Sequence, residues 1–173
     1  TLVLTQSLRF DDYDKFDDVT TGKIGFKNFF SDDIYLSANY GTAYNAPLLS
    51  QLAQPNPVAL KPEKSKSADI TFGLYGLEAT YFTNSTKDLI EYVYQPWPTP
   101  YYYENADKEV ETDGIELSYK RSFDAIQTDL NFNYTWLSAR NSDGDLLKYR
   151  PERTATIGLD YYGLAKTHLG LET

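Results

Sequence analysis

The chain has 173 residues, enough for one domain with a sizeable core. Its formal net charge of −9 argues against a nucleic-acid partner, whose phosphates need Lys and Arg, and leaves room for cationic ligands or divalent ions. With no Cys there is no disulfide framework or Cys nucleophile, and no window of about 18 apolar residues offers a transmembrane helix.

The composition is unusually aromatic, with Tyr 16, Phe 9 and Trp 2, and aromatic residues suit pleated, half-buried surfaces. In chain order the pattern predicts strands at 2–10, 20–30, 34–44, 68–75, 77–94, 101–121, 126–140, 148–162 and 166–173. Position 1 is not Met, no signal-peptide pattern occurs, and strand-like runs stand at both ends. The sequence therefore reads as a piece of something longer.

The connections alternate in length. Those at 11–19, 45–67, 95–100 and 141–147 are long; those at 31–33, 76, 122–125 and 163–165 are short. In an up-and-down sheet this puts every long loop at one end, as in outer-membrane barrels. Several strands exceed the usual 5–6 residues and reach the roughly 9–11 needed to cross a bilayer.

Within the strands apolar and polar residues alternate, so each strand has two unlike faces. One face carries Leu2, Leu4, Leu8, Ile24, Phe26, Ile70, Phe72, Leu74, Leu77, Ala79, Tyr81, Ile115, Leu117, Tyr119, Ile157, Leu159 and Tyr161, with no charge among them. The other carries Arg9, Lys23, Lys27, Asp69, Glu78, Glu116, Lys120, Asp129 and Asp160. Arg or Lys on a mid-bilayer lipid face costs about 2–4 kcal/mol, so the charge-free face reads as the one toward lipid. Tyr40, Tyr44, Tyr92, Tyr94, Trp97, Tyr101, Tyr102, Tyr103 and Tyr149 lie near strand ends, like an interfacial girdle. The expected fold is all-β: an antiparallel up-and-down meander of about nine strands, part of a transmembrane β-barrel. The same pattern also suits a soluble sandwich with one wet face.

The long loop after 34–44 carries more specific words. Gly41-Thr-Ala-Tyr-Asn-Ala-Pro-Leu-Leu-Ser-Gln-Leu52 is followed by Asn56-Pro-Val-Ala-Leu-Lys-Pro-Glu-Lys-Ser-Lys66. Then come Tyr81-Phe-Thr-Asn-Ser-Thr-Lys-Asp-Leu-Ile-Glu-Tyr92, Tyr103-Glu-Asn-Ala106 leading to Gly114-Ile-Glu116, and Tyr134-Thr-Trp-Leu-Ser-Ala-Arg140 with Arg150-Pro-Glu-Arg153. In this order they resemble segments in the barrels of TonB-dependent outer-membrane receptors. One residue, Val58 or Ala59, is extra against the second of these segments.

The resemblance implies a bacterial outer-membrane barrel of about 22 strands closed by an N-terminal plug. It implies uptake of a ferric siderophore, haem or cobalamin, energised by the TonB complex acting through the plug. Residues 1–173 would then be a partial barrel domain, without the plug or the family's final strand. Its open edges would self-associate in isolation. Other readings of the pattern are a porin-like passive channel and a secreted β-rich binding module. No Gly-x-Ser-x-Gly, His-Glu-x-x-His or phosphate loop occurs, so no enzyme is expected.

Candidate ligand contacts are Tyr44, Asn45, Trp97, Tyr101, Tyr102 and Tyr103, since aromatics give broad apolar contact with a polar tip. Each Tyr taken singly also fits a lipid girdle. Asp11, Asp12, Asp14, Asp17 and Asp18 put five carboxylates in eight residues. Such a loop suits Ca²⁺, which takes six to eight oxygens, although the spacing is not that of an EF-hand. The alternative is a solvated acidic loop, and no cofactor is required. Gly41, Pro47, Pro57 and Pro62 are expected to shape the long loop, and Arg150 and Arg153 to pair with Glu116 or Asp129. The single His168 is expected to be a polar residue facing the lumen.

Overall fold

The computed structural model describes residues 1–14, 18–141, 143–147, 150–164 and 167–172, the last segment as backbone only. The elements run β1 (Leu2–Asp11), β2 (Val19–Phe29), β3 (Ile34–Asn45), a short α1 (Leu49–Leu52), β4 (Glu63–Leu74) and β5 (Leu77–Lys87). Then follow β6 (Ile90–Val93), β7 (Tyr102–Asn105), β8 (Val110–Phe123), β9 (Thr128–Asn141), β10 (Arg153–Leu164) and β11 (Thr167–Glu172). Nine of them form one antiparallel sheet in the order β1-β2-β3-β4-β5-β8-β9-β10-β11, while β6 and β7 pair separately. The sheet is an open meander: β1 and β11 are each paired on one side only.

Four strand boundaries differ clearly from the sequence expectation. β4 begins at Glu63 rather than 68, because the β3–β4 ladder continues from Ile34↔Leu74 out to Asn45↔Glu63. That extension reads Glu-Lys-Ser-Lys-Ser and is polar on both faces, so it gave no alternation to see. The expected strand 77–94 stops at Lys87, where Asp88 takes a left-handed φ of 56°, and the expected strand 101–121 is interrupted before Val110. The severed ends make the β6–β7 hairpin. β10 begins at Arg153 rather than 148, just past Pro151, which has no N–H for a ladder.

The alternation of connections holds. Long ones at 12–18, 46–62, 88–109 and 142–152 stand at one end of the sheet, and short ones at the other. Tyr75 (φ 49°) and Gly76 (φ 86°) form a tight two-residue turn of the left-handed kind that suits twisted hairpins. A Cβ on Gly76 would also meet the Lys120 carbonyl oxygen at 2.3 Å.

The register sorts the two faces. Leu4, Phe26, Ala38, Ile70, Tyr81, Ile115 and Trp136 occupy one rung of the ladder, and Arg153 ends it. The next rung toward the short turns holds Leu2, Asn28, Leu36, Phe72, Ala79, Leu117, Tyr134 and Ala155. The apolar band does not follow the rungs. It covers 2–10 on β1, reaching three rungs above Leu4, but 155–161 on β10, wholly below that rung. Its centre therefore slides about seven residues, roughly 23 Å, across seven strand steps of roughly 34 Å. The ratio is a strand tilt of about 35°, the inclination of membrane barrels.

The opposite face carries the nine charges expected there, and its side chains bond to one another. Asn39 Nδ2 donates to Asp69 Oδ2 at 2.9 Å, the Thr71 and Thr80 hydroxyls lie 2.9 Å apart, and Tyr35 donates to Glu78. Lys27 Nζ sits 3.6 Å from the Tyr35 ring centroid. Glycines make room for this layer: a Cβ on Gly73 would lie 2.2 Å from the Tyr35 ring, and one on Gly114 2.4 Å from the Trp136 carbonyl oxygen.

Among the described residues no element packs over either face. Among them the buried apolar side chains are Val19, Leu60, Ala139 and the loop prolines Pro47 and Pro62, whereas Leu4 is 72% exposed and Ile24 62%. A sheet in water buries its apolar face under another layer. Here that face is bare, long and tilted, which is the construction of a wall in lipid.

Candidate functional site at the long-loop end

The long-loop end is built from loop 46–62, the β6–β7 hairpin and the segments that flank it. The hairpin has two unlike faces. Tyr92 pairs with Tyr103 across the strands, and Tyr101 joins them. The Tyr92 ring lies 5.1 Å from that of Tyr101 and 5.7 Å from that of Tyr103, with Tyr101 and Tyr103 6.3 Å apart and edge-on. On the other face Glu91 stands opposite Glu104. These two carboxylates help line a recess of about 730 Å³ between the hairpin and loop 46–62. Trp97 stands at the hairpin tip, 92% exposed, and is followed by a cis peptide bond to Pro98.

Three polar side chains fasten the hairpin to the neighbouring loop. Asn105 Oδ1 accepts from the Lys61 amide at 2.8 Å, while its Nδ2 donates to the carbonyl oxygens of Lys61 (2.9 Å) and Asp88 (2.6 Å). Asn56 Oδ1 accepts from the Tyr103 amide at 2.8 Å, and its Nδ2 donates to the Gln51 carbonyl at 2.8 Å. Glu63, at the start of β4, takes the Ile90 amide on one oxygen (2.9 Å) and Asn45 Nδ2 on the other (3.0 Å). Leu60 is buried with Pro47 and Pro62 inside the same loop. Of the prolines expected to shape this loop, Pro47 and Pro62 are buried and Pro57 is exposed.

A second set of ties lies at the hairpin's return to the wall. Ser85 donates to Glu109, and Lys87 Nζ is 3.2 Å from Glu109 Oε2. The Ser85 hydroxyl first, and Lys87 second, hold the Glu109 carboxyl below its ordinary range. Lys108 bonds to Asp143, which raises the Lys108 pKa and joins this hairpin to loop 142–152.

The candidate ligand residues fall into separate groups. Tyr101 and Tyr103 come together with Tyr92, a residue the sequence pattern assigns only to the girdle. The strand break at Asp88 puts Tyr92 in a loop hairpin instead. Tyr102 pairs with Val93 on the opposite hairpin face, and Trp97 is at the tip. Tyr44 does not join them: its ring is edge-on to Tyr13 at 6.0 Å and their hydroxyls are hydrogen-bonded. Asn45 is occupied by Glu63.

The acidic loop is also divided. Arg9 holds Asp11 through Nε (3.0 Å) and Nη2 (2.7 Å), and Asp18 accepts from the Tyr13 amide at 3.3 Å. Asp12 and Asp14 are exposed, and Asp17 lies outside the described residues, as do Tyr149 and the His168 side chain. Among the described residues no three His, Cys, Asp or Glu side chains gather as a metal site. Nor does Arg150 or Arg153 lie within salt-bridge distance of a carboxylate among them. The register puts Arg153 on the apolar-band face, away from Glu116 and Asp129.

A bare, tilted wall with an aromatic hairpin fastened over one end is the geometry to be compared with known proteins. Residues 1–172 match the family model described as TonB dependent receptor-like, beta-barrel. The chain belongs to the TonB-dependent receptor β-barrel family. Among curated relatives it is similar to the vitamin B12 transporter BtuB of Vibrio cholerae, 30% identical over 158 residues, covering 87% of this chain and 24% of that protein. Among solved structures it is similar to the ferric enterobactin receptor PfeA of Pseudomonas aeruginosa, with TM-score 0.75 and 25% identity over 94% of this chain and 28% of that one. The siderophore receptor PirA of Acinetobacter baumannii shares the fold with TM-score 0.73 at 20% identity, covering 94% of this chain and 29% of that one. The chain thus spans about a quarter of the length of the relatives it matches. The relatives it matches are, by name, a vitamin B12 transporter and siderophore receptors, and the matched family model is that of a β-barrel.

Proposed function

We propose that this chain is one arc of the barrel of an outer-membrane receptor for energised uptake of a large metal chelate: a ferric siderophore, haem or cobalamin. The observation that carries this reading is the clustered Tyr92–Tyr101–Tyr103 face, its rings tilted and edge-on to one another, presented with Trp97 on a hairpin fastened at the long-loop end. Such rings offer a broad, rigid, amphipathic contact area at low entropic cost. The names of the relatives, a vitamin B12 transporter and a ferric enterobactin receptor, support the same cargo classes. Energy coupling would come from the TonB complex through a plug domain, and residues 1–173 are the partial barrel domain.

The test uses the parent receptor. Tyr101→Ala with Tyr103→Ala should weaken binding of either cyanocobalamin or ferric enterobactin by about tenfold or more, as expected for aromatic anchors that a bound ligand covers. Unchanged affinity for every cargo the receptor binds would remove the hairpin from the ligand site. Tyr44 and Asn45 serve that site indirectly, by holding the loop bases.

The acidic segment 11–18 is proposed to bind Ca²⁺ with exposed Asp12 and Asp14 as first ligands. Millimolar calcium should then protect this loop of the parent receptor from proteolysis; identical cleavage with calcium and with chelator would end the idea. The isolated chain, with two open edges, should self-associate in detergent.

A further inference from the structure

The face toward lipid carries a feature that cargo uptake does not use. One rung above the apolar band on β4 stands Lys66, with Lys64 one rung higher. Both are on the same side of the strand as Ile70 and Phe72. On β5 Lys87 is the direct cross-strand partner of Lys64, and Ser85 that of Lys66. Like charges directly opposite each other destabilise a ladder. Glu109 relieves only part of this: it lies 3.2 Å from Lys87, bonds Ser85 and acts on Lys66 at longer range. Lys64 and Lys66 have no carboxylate within salt-bridge distance among the described residues. The three lysines line a recess of about 360 Å³ with hydroxyl residues Thr20, Thr42 and Ser85, and with Asp18 and Asp88 also among its lining residues.

From this placement we infer that Lys64, Lys66 and Lys87 form a seat on the outside of the wall for the phosphate headgroup of an anionic membrane lipid. The site fits that occupant in three respects. Ammonium groups and hydroxyls are the donors a phosphate takes. The recess lies one to two rungs, about 7–13 Å, beyond the apolar rows, where headgroups meet a barrel. The band directly below it receives acyl chains, which a free phosphate would not need. A bound anion would also relieve the Lys64–Lys87 opposition. This site is independent of the cargo proposed above, since it lies on the other face of the sheet from the lumen.

The parent receptor in detergent, titrated with phosphatidylglycerol or phosphatidylcholine and followed by native mass spectrometry, tests the assignment. Wild type should retain phosphatidylglycerol at about tenfold lower lipid concentration than phosphatidylcholine. Lys64→Gln with Lys66→Gln should abolish that preference, Lys64→Arg with Lys66→Arg should keep it, and Lys23→Gln on the lumen face should leave it unchanged. Equal retention of both lipids by wild type would overturn the proposal without recourse to any variant, as would a preference that survives the double glutamine change. Displacement of phosphatidylglycerol by inorganic phosphate at the lipid's own concentration would make the site one for a free anion and refute the lipid assignment.

Discussion

Asn105→Ala removes three hydrogen bonds at once: one from the Lys61 amide and two to the carbonyl oxygens of Lys61 and Asp88. Each such bond contributes about 1 kcal/mol net, and two of the three are exposed. A loss near 2 kcal/mol for the loop as a unit follows, which is roughly a 30-fold rise in the population with the hairpin unfastened. Global stability should barely change, because the nine-stranded ladder does not pass through Asn105. Hydrogen exchange on the parent receptor reads this directly. The amides of Lys61, Ile90 and Tyr103 should exchange about 10- to 100-fold faster, while those of residues 70–74 in β4 keep their rates. Unchanged exchange at Lys61 and Tyr103 would show that Asn105 fastens nothing. Equal acceleration throughout the wall would show that hairpin and wall are one cooperative unit, contrary to the separate pairing of β6 and β7.

Three further outcomes follow from the geometry. Gly114→Ala puts a methyl 2.4 Å from the Trp136 backbone oxygen and should cost about 1–3 kcal/mol in a refolding titration. Gly73→Ala should cost less, because there the clash is with the Tyr35 ring, which can swing away. Ile70→Lys on the lipid face should lower stability by about 2–4 kcal/mol in lipid vesicles, and Thr71→Lys, one residue along on the lumen face, by much less. The Glu109 carboxyl is held below its ordinary pKa of 4.5, so the fastened state takes up a proton less readily than the free one. Its ties to Ser85 and Lys87 should therefore be intact above pH 4.5 and be lost as the pH falls through the depressed value. Exchange of the segment around Glu109 should rise only below that point, and a rise centred above it would contradict the assignment.

The wall was legible in sequence because lipid on one side and water on the other impose a period of two over ten residues or more. Ile70, Phe72 and Leu74 against Asp69, Thr71 and Gly73 is such a run. Where the strands rise beyond the bilayer both faces meet water and the alternation stops, so the first five residues of β4 carry no strand signal. The site was less legible. Nothing local in Tyr92 distinguishes a girdle residue from a member of a ring cluster; the left-handed Asp88 decides it by ending β5. Asn56, Glu63 and Asn105 sat within the family words, yet their role is to bond partners 27 to 47 residues away. Such partners are set by the packing of two loops, which no spacing encodes. The apolar band carried the strand tilt as well, but reading it requires the register between strands.

The central claim is that residues 1–172 form a lipid-facing arc of a receptor barrel. Residues 1–173 contain no Cys, so single cysteines introduced along β4 at 68 to 74 and spin-labelled in the vesicle-reconstituted parent receptor, with any Cys elsewhere in it replaced, test it most directly. Labels at Ala68, Ile70, Phe72 and Leu74 should be relaxed by oxygen dissolved in lipid, and those at Asp69, Thr71 and Gly73 by a water-soluble nickel chelate. Loss of that alternation, or its reversal, would contradict the account.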